Sequence, residues 1–169
     1  MALLEQAIAD MRALIFDLSP PILYDLGLGE ALAWLAEDSA KRYGITLDVS
    51  DDGSEKPMDD VTRAVVFRAV RELVMNVLKH AGVTSAKVSL RRTAGELAIL
   101  VEDHGVGFDT GALARRTKRD AFGLLSIREQ ISRIGARLEI ESALNQGTRA
   151  SIHVPLQADG AQRVAEGSA

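Results

Sequence analysis

The sequence predicts an α+β fold, a two-layer α/β sandwich in which a mixed, mostly antiparallel sheet carries helices on one face, with a further helix at the N-terminus. Two periodicities lead to it. Apolar residues recur every three or four positions in long segments, as helices need, and every second position in short ones, as strands need. Their order is helix, helix, then a sheet with its helices.

At the N-terminus, Leu4, Ile8, Met11, Ile15 and Leu18 keep the seam spacing of a helix that packs against another helix. Ser19-Pro20-Pro21 stops it, because two prolines cannot continue the hydrogen-bond ladder. With barely two heptads it reads as a truncated helix whose partner lies outside the chain or on a second copy. Beyond the Gly27-Leu28-Gly29 turn, Leu28, Leu32, Leu35, Ala36, Ser39 and Tyr43 share one helical face, which Gly44 caps. Ile45–Val49 alternates as a strand and ends at Asp51-Asp52-Gly53-Ser54. The spacing then predicts a long helix from Asp59 to His80, buried along Val66, Val70, Leu73 and Val77. Strands Lys87–Arg91 and Glu96–Glu102 flank a tight turn at Ala94-Gly95. Asp109–Asp120 is polar and shows no hydrophobic period. A helix is expected from Gly123, with Leu124, Ile127, Ile131 and Ile134 inward and Gly135 as its cap. Arg137–Glu141 and Thr148–Val154 make a last hairpin around Asn145-Gln146-Gly147. From Gln157 the chain has the composition of a disordered tail.

Composition narrows the function classes. A length of 169 residues suits one domain with an appended helical piece. Hydrophobic residues at 47% supply a core, and aromatics at 4% make it aliphatic. A net charge of −4 argues against nucleic acid as the main partner, since no basic field attracts a phosphate backbone. Without cysteine there is no disulfide, zinc–thiolate site or thiol nucleophile, which agrees with a cytoplasmic setting. No apolar run approaches the roughly twenty residues that span a bilayer, and no leader pattern follows Met1. The chain reads as soluble, or as the soluble piece of something longer.

Two motifs carry chemistry. In the first, on the long helix, Glu72, Asn76 and Lys79 project the same way. An amide oxygen suits magnesium, a hard cation that shares substrate phosphates, so Asn76 is the candidate metal ligand. Lys79 can neutralise phosphate oxygens, and Glu72 can orient a metal-bound water or accept a proton. The second motif, Asp103-His104-Gly105-Val106-Gly107, ends an apolar strand. Its carboxylate is by default a turn-former, but in a pocket it would accept an adenine amino group. Gly105 and Gly107 would let backbone pass close to a flat base. Arg115, Arg116, Lys118 and Arg119 offer charge for a triphosphate, and amides at the helix start by Gly123 could face its oxygens.

Together these stretches resemble the ATP-binding domain of the GHKL superfamily, which includes sensor histidine kinases, gyrase-type topoisomerases and mismatch-repair ATPases. The likeness covers residues 45–155. Glu72, Asn76, Lys79 and His80 match its N box, with His80 against ribose or phosphates; Asp103, Gly105 and Gly107 match the first glycine box. Phe122, Gly123 and Leu124 match the second glycine box, and Gly147-Thr148 the last. Leu18-Ser19-Pro20-Pro21-Ile22-Leu23 and Gly123-Leu124-Leu125-Ser126-Ile127-Arg128-Glu129 are similar to the nitrate-sensor/degradation-sensor subfamily.

The resemblance implies a Bergerat-type ATP-binding fold, ATP and magnesium as ligands, and transfer of the γ-phosphate to a histidine on a separate dimerisation helix. Partners would be that phosphoacceptor histidine domain, a response regulator downstream, and a second copy in a homodimer. Residues 1–26 would be the end of the dimerisation helix and its linker, 27–156 the catalytic domain, and 157–169 the tail. His104 stands where the family often has Asn or Asp, and the second glycine box has one glycine where two are frequent. His80, His104 and His153 are the chain's histidines, and none sits in an acceptor helix, so the chain reads as a catalytic fragment. An anti-sigma-factor-type serine kinase on the same fold is the rival reading. A mismatch-repair-type module would need a transducer domain, and a pseudokinase is at odds with intact Asn76 and Asp103.

Overall fold

The computed structural model describes residues 20–113 and 118–156. The expected N-terminal helix, the tail, and Arg115 and Arg116 lie outside these residues, as do the side chains of Lys118, Arg119 and Phe122. A short helix, α1 (Ile22–Asp25), starts at Pro21, and α2 (Leu28–Tyr43) follows Gly27. Strand β1 (Thr46–Asp51) leads to α3 (Asp60–Asn76), which continues as a π-helical turn over Val77–Ala81. Strands β2 (Ser85–Thr93) and β3 (Glu96–Asp103) form a hairpin. Helices α4 (Thr110–Leu113) and α5 (Lys118–Ser132) precede the hairpin of β4 (Arg137–Ser142) and β5 (Thr148–Pro155).

The strands make one sheet in the order β1-β2-β3-β5-β4. Only β1 and β2 run parallel; the other pairings are antiparallel, so the sheet is mixed as the sequence predicts. The register explains the two layers. Val88 pairs with Val101 and Val101 with Ala150; Leu90 pairs with Ile99, Ile99 with Ile152, and Ile152 with Leu138. Side chains alternate across a strand, so these rows fall on one face and are buried there. Helix α3 answers with Val66, Val70, Leu73, Val74 and fully buried Phe67, and α5 with Ile127 and Ile131. Leu23 of α1 and Leu32 of α2 close the same core.

Helix boundaries follow local chemistry. Asp59 caps α3 by accepting the Thr62 amide at 2.8 Å, which satisfies one of the helix's orphan donors. Gly44 ends α2 in the left-handed region, its amide reaching the Ala40 carbonyl at 3.1 Å. One boundary differs from expectation. Helix α5 is already formed at Lys118, the first described residue there, and not only from Gly123, five residues further on. Residues 118–121 have adequate helix propensity but no apolar period, so periodicity alone passes over them.

The loop from β1 to α3 is held by charge. Asp52 accepts the Ser54 hydroxyl at 2.7 Å, the Arg92 amide at 2.6 Å and the Ser54 amide at 3.0 Å. Lys56, whose side chain is 8% exposed, reaches Asp51 at 2.6 Å and Asp52 at 3.0 Å. The Ser54 hydroxyl, then the backbone amides, then Lys56 hold the Asp52 carboxyl well below the usual carboxylate range. A carboxyl depressed in the folded state stabilises the fold above its unfolded pKa, about 4, and loses that contribution as pH falls further. Thermal stability should therefore fall as pH drops below about 4. Asp52→Asn, which removes this charge, should unfold earlier at pH 7 and show a shallower acid decline. Parallel melting curves of both proteins from pH 7 to pH 3, with identical decline, would remove Asp52 from the account.

Candidate functional site

Where α3 and its π turn cross the end of the sheet, the molecule forms a cavity of about 570 Å³. Its helical wall carries Glu72, Asn76, Lys79 and His80; its sheet wall carries Val101, Asp103, Thr148 and Ala150. Gly107 and Phe108 after β3, and Gly123 and Leu124 in α5, complete the lining. Of the residues singled out in the sequence, Gly105 and Gly147 are absent from that lining, and the Phe122 side chain lies outside the described structure.

The helical wall owes its shape to the change of helix type. Glu72 and Asn76 are one α-helical turn apart on α3, and both face Gly123: a methyl placed there would lie 3.8 Å from Glu72 Oε1 and 3.7 Å from Asn76 Oδ1. From Val77 the wider π turn takes over, and Lys79 and His80 both reach the cavity with exposed side chains. The Asn76 Nδ2 is buried without a hydrogen-bond partner, the one such side-chain polar atom among the described residues. Native structures seldom leave a buried donor unpaired, because its desolvation goes uncompensated. On a cavity wall, such an amide has its hydrogen-bonding capacity open to a polar group.

On the sheet wall, Asp103 is the last residue of β3 and only 4% exposed. It forms the turn weighed from the sequence and also stands on the cavity wall. Its Oδ1 accepts the Gly105 amide at 2.8 Å, an Asx turn that fixes the carboxylate, while the residue lines the cavity. Asp103 pairs with Thr148, which pairs in turn with Ser142, so three strands bring three polar side chains to one level.

The glycines act differently from the expectation. The space a Cβ would take at Gly105 is filled by Ala81, whose Cβ would be 2.6 Å away. Gly105 therefore lets β3 close against the π turn, sealed by the Val106 amide donating to the Ala81 carbonyl at 2.9 Å. Gly107, at φ +56°, abuts the carbonyls of Ala143 and Gly147. The Gly147 backbone lies against Asp103 and His104. These glycines shape the wall by bringing backbone to backbone, where the sequence suggested room for a base. Gly123, interior to α5, has no helix-start amides to offer.

Sequence reasoning missed two contributors, Ile140 and Ser142. Ile140 lines the cavity but looks like an ordinary core position. Ser142, at the end of β4, accepts the Phe108 amide at 2.9 Å and donates to the Gly147 carbonyl at 2.8 Å. A serine at a strand end carries no distinguishing signal. The π turn has none either, although the unbroken apolar stripe through Val77 did locate the helix.

Among the described residues no helix is long and apolar enough to cross a membrane, and no group of three acidic or histidine side chains could hold a metal ion. Two solved structures share the fold. A histidine kinase domain from the Erythrobacter litoralis blue-light activated histidine kinase superposes with a TM-score of 0.62 at 22% identity, over 76% of this chain and 61% of that one. A longer chain of that kinase gives 0.63 at 24%, over 76% of this chain and 42% of that one. Among curated proteins, the sensor histidine kinase NarS of Mycobacterium tuberculosis is 34% identical over 157 residues, 93% of this chain and 36% of that protein. The oxygen sensor histidine kinase NreB of Staphylococcus carnosus is 32% identical over 154 residues, 91% of this chain and 44% of that protein. The chain thus matches under half the length of each of these relatives. Residues 62–158, which contain the cavity's helical and sheet walls, match the model of one family, and the chain belongs to it: the histidine kinase-, DNA gyrase B-, and HSP90-like ATPases.

Proposed function

We propose that this chain is the ATP-binding catalytic part of a two-component sensor histidine kinase, passing the γ-phosphate of ATP to a histidine on a dimerisation domain. Residues 27–156 form the catalytic domain in this reading, and residues 1–26 lead to it from the dimerisation helix. Two full-length copies, a phosphoacceptor histidine domain and a response regulator are the partners, and the cytoplasm is the setting. The observation that carries the proposal is the pairing of a buried, oriented carboxylate, Asp103, with an unpaired amide, Asn76, across one cavity. Family membership and the likeness to parts of sensor kinases, over more than nine-tenths of this chain, supply the rest.

Each residue has a physical task. Asp103, pinned by the Gly105 amide, keeps a carboxylate oxygen to accept the exocyclic amino group of adenine; a guanine presents an oxygen there and is repelled. Thr148 shares that wall. Lys79 and His80, exposed at the cavity rim, neutralise and orient the phosphates. Gly123 and Leu124 of α5 lie across from Asn76 and, with Phe122, cover the nucleotide. Gly105, Gly107 and Gly147 hold the wall in shape. A magnesium ion fits the donor set: nothing bonded to the Asn76 nitrogen resists a half-turn of the amide that offers its oxygen, a hard ligand. Asn76 would hold it together with phosphate oxygens, and the ion would supply charge neutralisation. Glu72, beside Asn76, orients water or accepts a proton. Catalysis of this kind is chiefly positioning and charge stabilisation.

Asp103→Asn preserves the turn to Gly105 but gives the adenine amino group an uncharged acceptor. Losing a charge-assisted hydrogen bond should cost about 1.5–3 kcal/mol, roughly ten- to a hundredfold in affinity for a non-hydrolysable ATP analogue. Calorimetry on the folded variant decides it, and unchanged affinity would take Asp103 out of the site.

For Asn76→Ala the expectation divides by ligand. Transfer should be abolished and Mg·ATP binding weakened, while metal-free ADP binding suffers much less. Equal losses for both ligands would mean that Asn76 supports the helix or the base.

The chain's histidines are His80 at the cavity rim, exposed His104, and His153, which lies 3.3 Å from Glu96 on the sheet face away from the cavity. None is mounted as an in-line acceptor. Given γ-labelled ATP, the chain should bind it without labelling itself. A separately made dimerisation domain with its histidine should then acquire acid-labile, base-stable label. Robust labelling at His80, His104 or His153 would overturn the proposal.

A further inference from the structure

We infer that Ser142, which does not line the cavity, determines its base specificity by fixing the hydroxyl proton of Thr148 so that the cavity's sheet wall can only accept hydrogen bonds. The argument is one of proton accounting. A serine hydroxyl has one proton and two lone pairs. The Ser142 oxygen lies 2.9 Å from the Phe108 amide, which can only donate, and 2.8 Å from the Gly147 carbonyl, which can only accept. Its proton therefore goes to Gly147, and one lone pair receives Phe108. The Thr148 Oγ1 is 3.2 Å away. With the serine proton already committed, Thr148 must be the donor in that contact, into the second lone pair.

Thr148 is thereby left with lone pairs and no free proton for anything in the cavity it lines. The Asp103 side chain, directly across the strand pairing, offers carboxyl oxygens as acceptors as well. Two neighbouring acceptors favour a ligand that presents a donor and reject one that presents a carbonyl. A free threonine hydroxyl would not discriminate, since it rotates to donate or accept as the ligand requires. Ser142 is thus a positioning residue. It converts an ambidextrous hydroxyl into a fixed acceptor and couples that setting to the Gly107–Phe108 segment through the Phe108 amide.

The inference rests on the proposed adenine site, and the comparison of 6-amino with 6-oxo purine nucleotides tests it cleanly. Calorimetric affinities for ADP and inosine diphosphate give a preference ratio for the unmodified protein. Ser142→Ala frees the Thr148 proton to meet the inosine carbonyl, so the ratio should fall about three- to tenfold, the value of one net hydrogen bond. Most of the change should be gained inosine affinity. Adding Thr148→Val removes the freed proton and should restore rejection of inosine, and Ser142→Thr, which keeps the hydroxyl, should keep the ratio. A purely structural serine would weaken both nucleotides together and leave the ratio unmoved, which would overturn the inference. Should Ser142→Ala give no cooperative melting transition, Ser142→Cys carries the same test, because sulfur is a weak acceptor of near-equal size. No ADP binding by the unmodified protein would instead defeat the adenine reading itself.

Discussion

The cavity exists because the end of α3 and the end of β3 meet with no side chain between them. Gly105 brings its backbone against Ala81, and the Val106 amide closes the gap by donating to the Ala81 carbonyl. Any larger residue at position 105 would collide with backbone at the π turn, where neither partner can yield. From that junction the two walls diverge. The π turn carries Lys79 and His80 outward on one side, and the Asx turn of Asp103 holds its carboxylate on the other. The same loop continues through Asn145, whose amide donates to the Val106 carbonyl, so the β4–β5 hairpin is tied to the same point. A helix end, a strand end and a hairpin are thus fixed by short backbone contacts, and the polar side chains inherit their positions from them.

The two faces of the sheet contribute differently. The helix-covered face is aliphatic from Ala86 through Val101 to Leu138, and its burial drives the fold. The other face carries Arg137 on Glu96, Arg149 on Glu102, and His153 beside Glu96. Arg137, foremost, keeps the Glu96 carboxyl below its ordinary range. These pairs are open to solvent and screened, so they contribute little to stability. The register is held instead by the apolar alternation, since a slip of one residue would carry every apolar side chain to the wet face. The cavity side is consequently insulated from the charged side by the thickness of the sheet.

Much of this was legible in the sequence because periodicity reports burial. The alternation in Glu96–Glu102 and the stripe Val66-Val70-Leu73-Val77 gave strands and helix to within a few residues, and the register confirms them. Asp103 was legible for a related reason: a carboxylate closing an apolar strand has to be explained. What stayed hidden depends on backbone geometry that side-chain pattern does not encode. The π turn keeps the apolar stripe of an α-helix while shifting the residues after Val77. The first described turn of α5, Lys118–Ala121, has no apolar period to announce a helix. The glycines were legible as necessary but not for their reason. A glycine signals only that something approaches closely, and at Gly105 and Gly107 what approaches is the protein's own backbone. Ser142 was not legible at all, because its role depends on three partners that meet only after β3, β4 and β5 have paired.

The two walls of the cavity are opposite in hydrogen-bonding character, and this constrains what the site can hold more tightly than its volume does. The sheet wall offers acceptors at Asp103 and Thr148 with apolar Val101 and Ala150 beside them. The helical wall offers the cations of Lys79 and, when protonated, His80, beside the unpaired amide of Asn76. A wholly anionic ligand would meet the Asp103 carboxylate and be repelled; a wholly apolar one would leave the Asn76 amide and the carboxylate both unsatisfied. A molecule that combines a flat, donor-bearing ring with an anionic tail satisfies both walls at once, and a nucleotide with an amino-substituted base is such a molecule. The arrangement is asymmetric in rigidity as well. The ring-facing groups sit on paired strands and a backbone-locked turn, whereas the tail-facing groups sit on the last turn of a helix with exposed side chains. In the proposed reading, recognition of the base would thus be preorganised, and the adjustable contacts would be left to the phosphates.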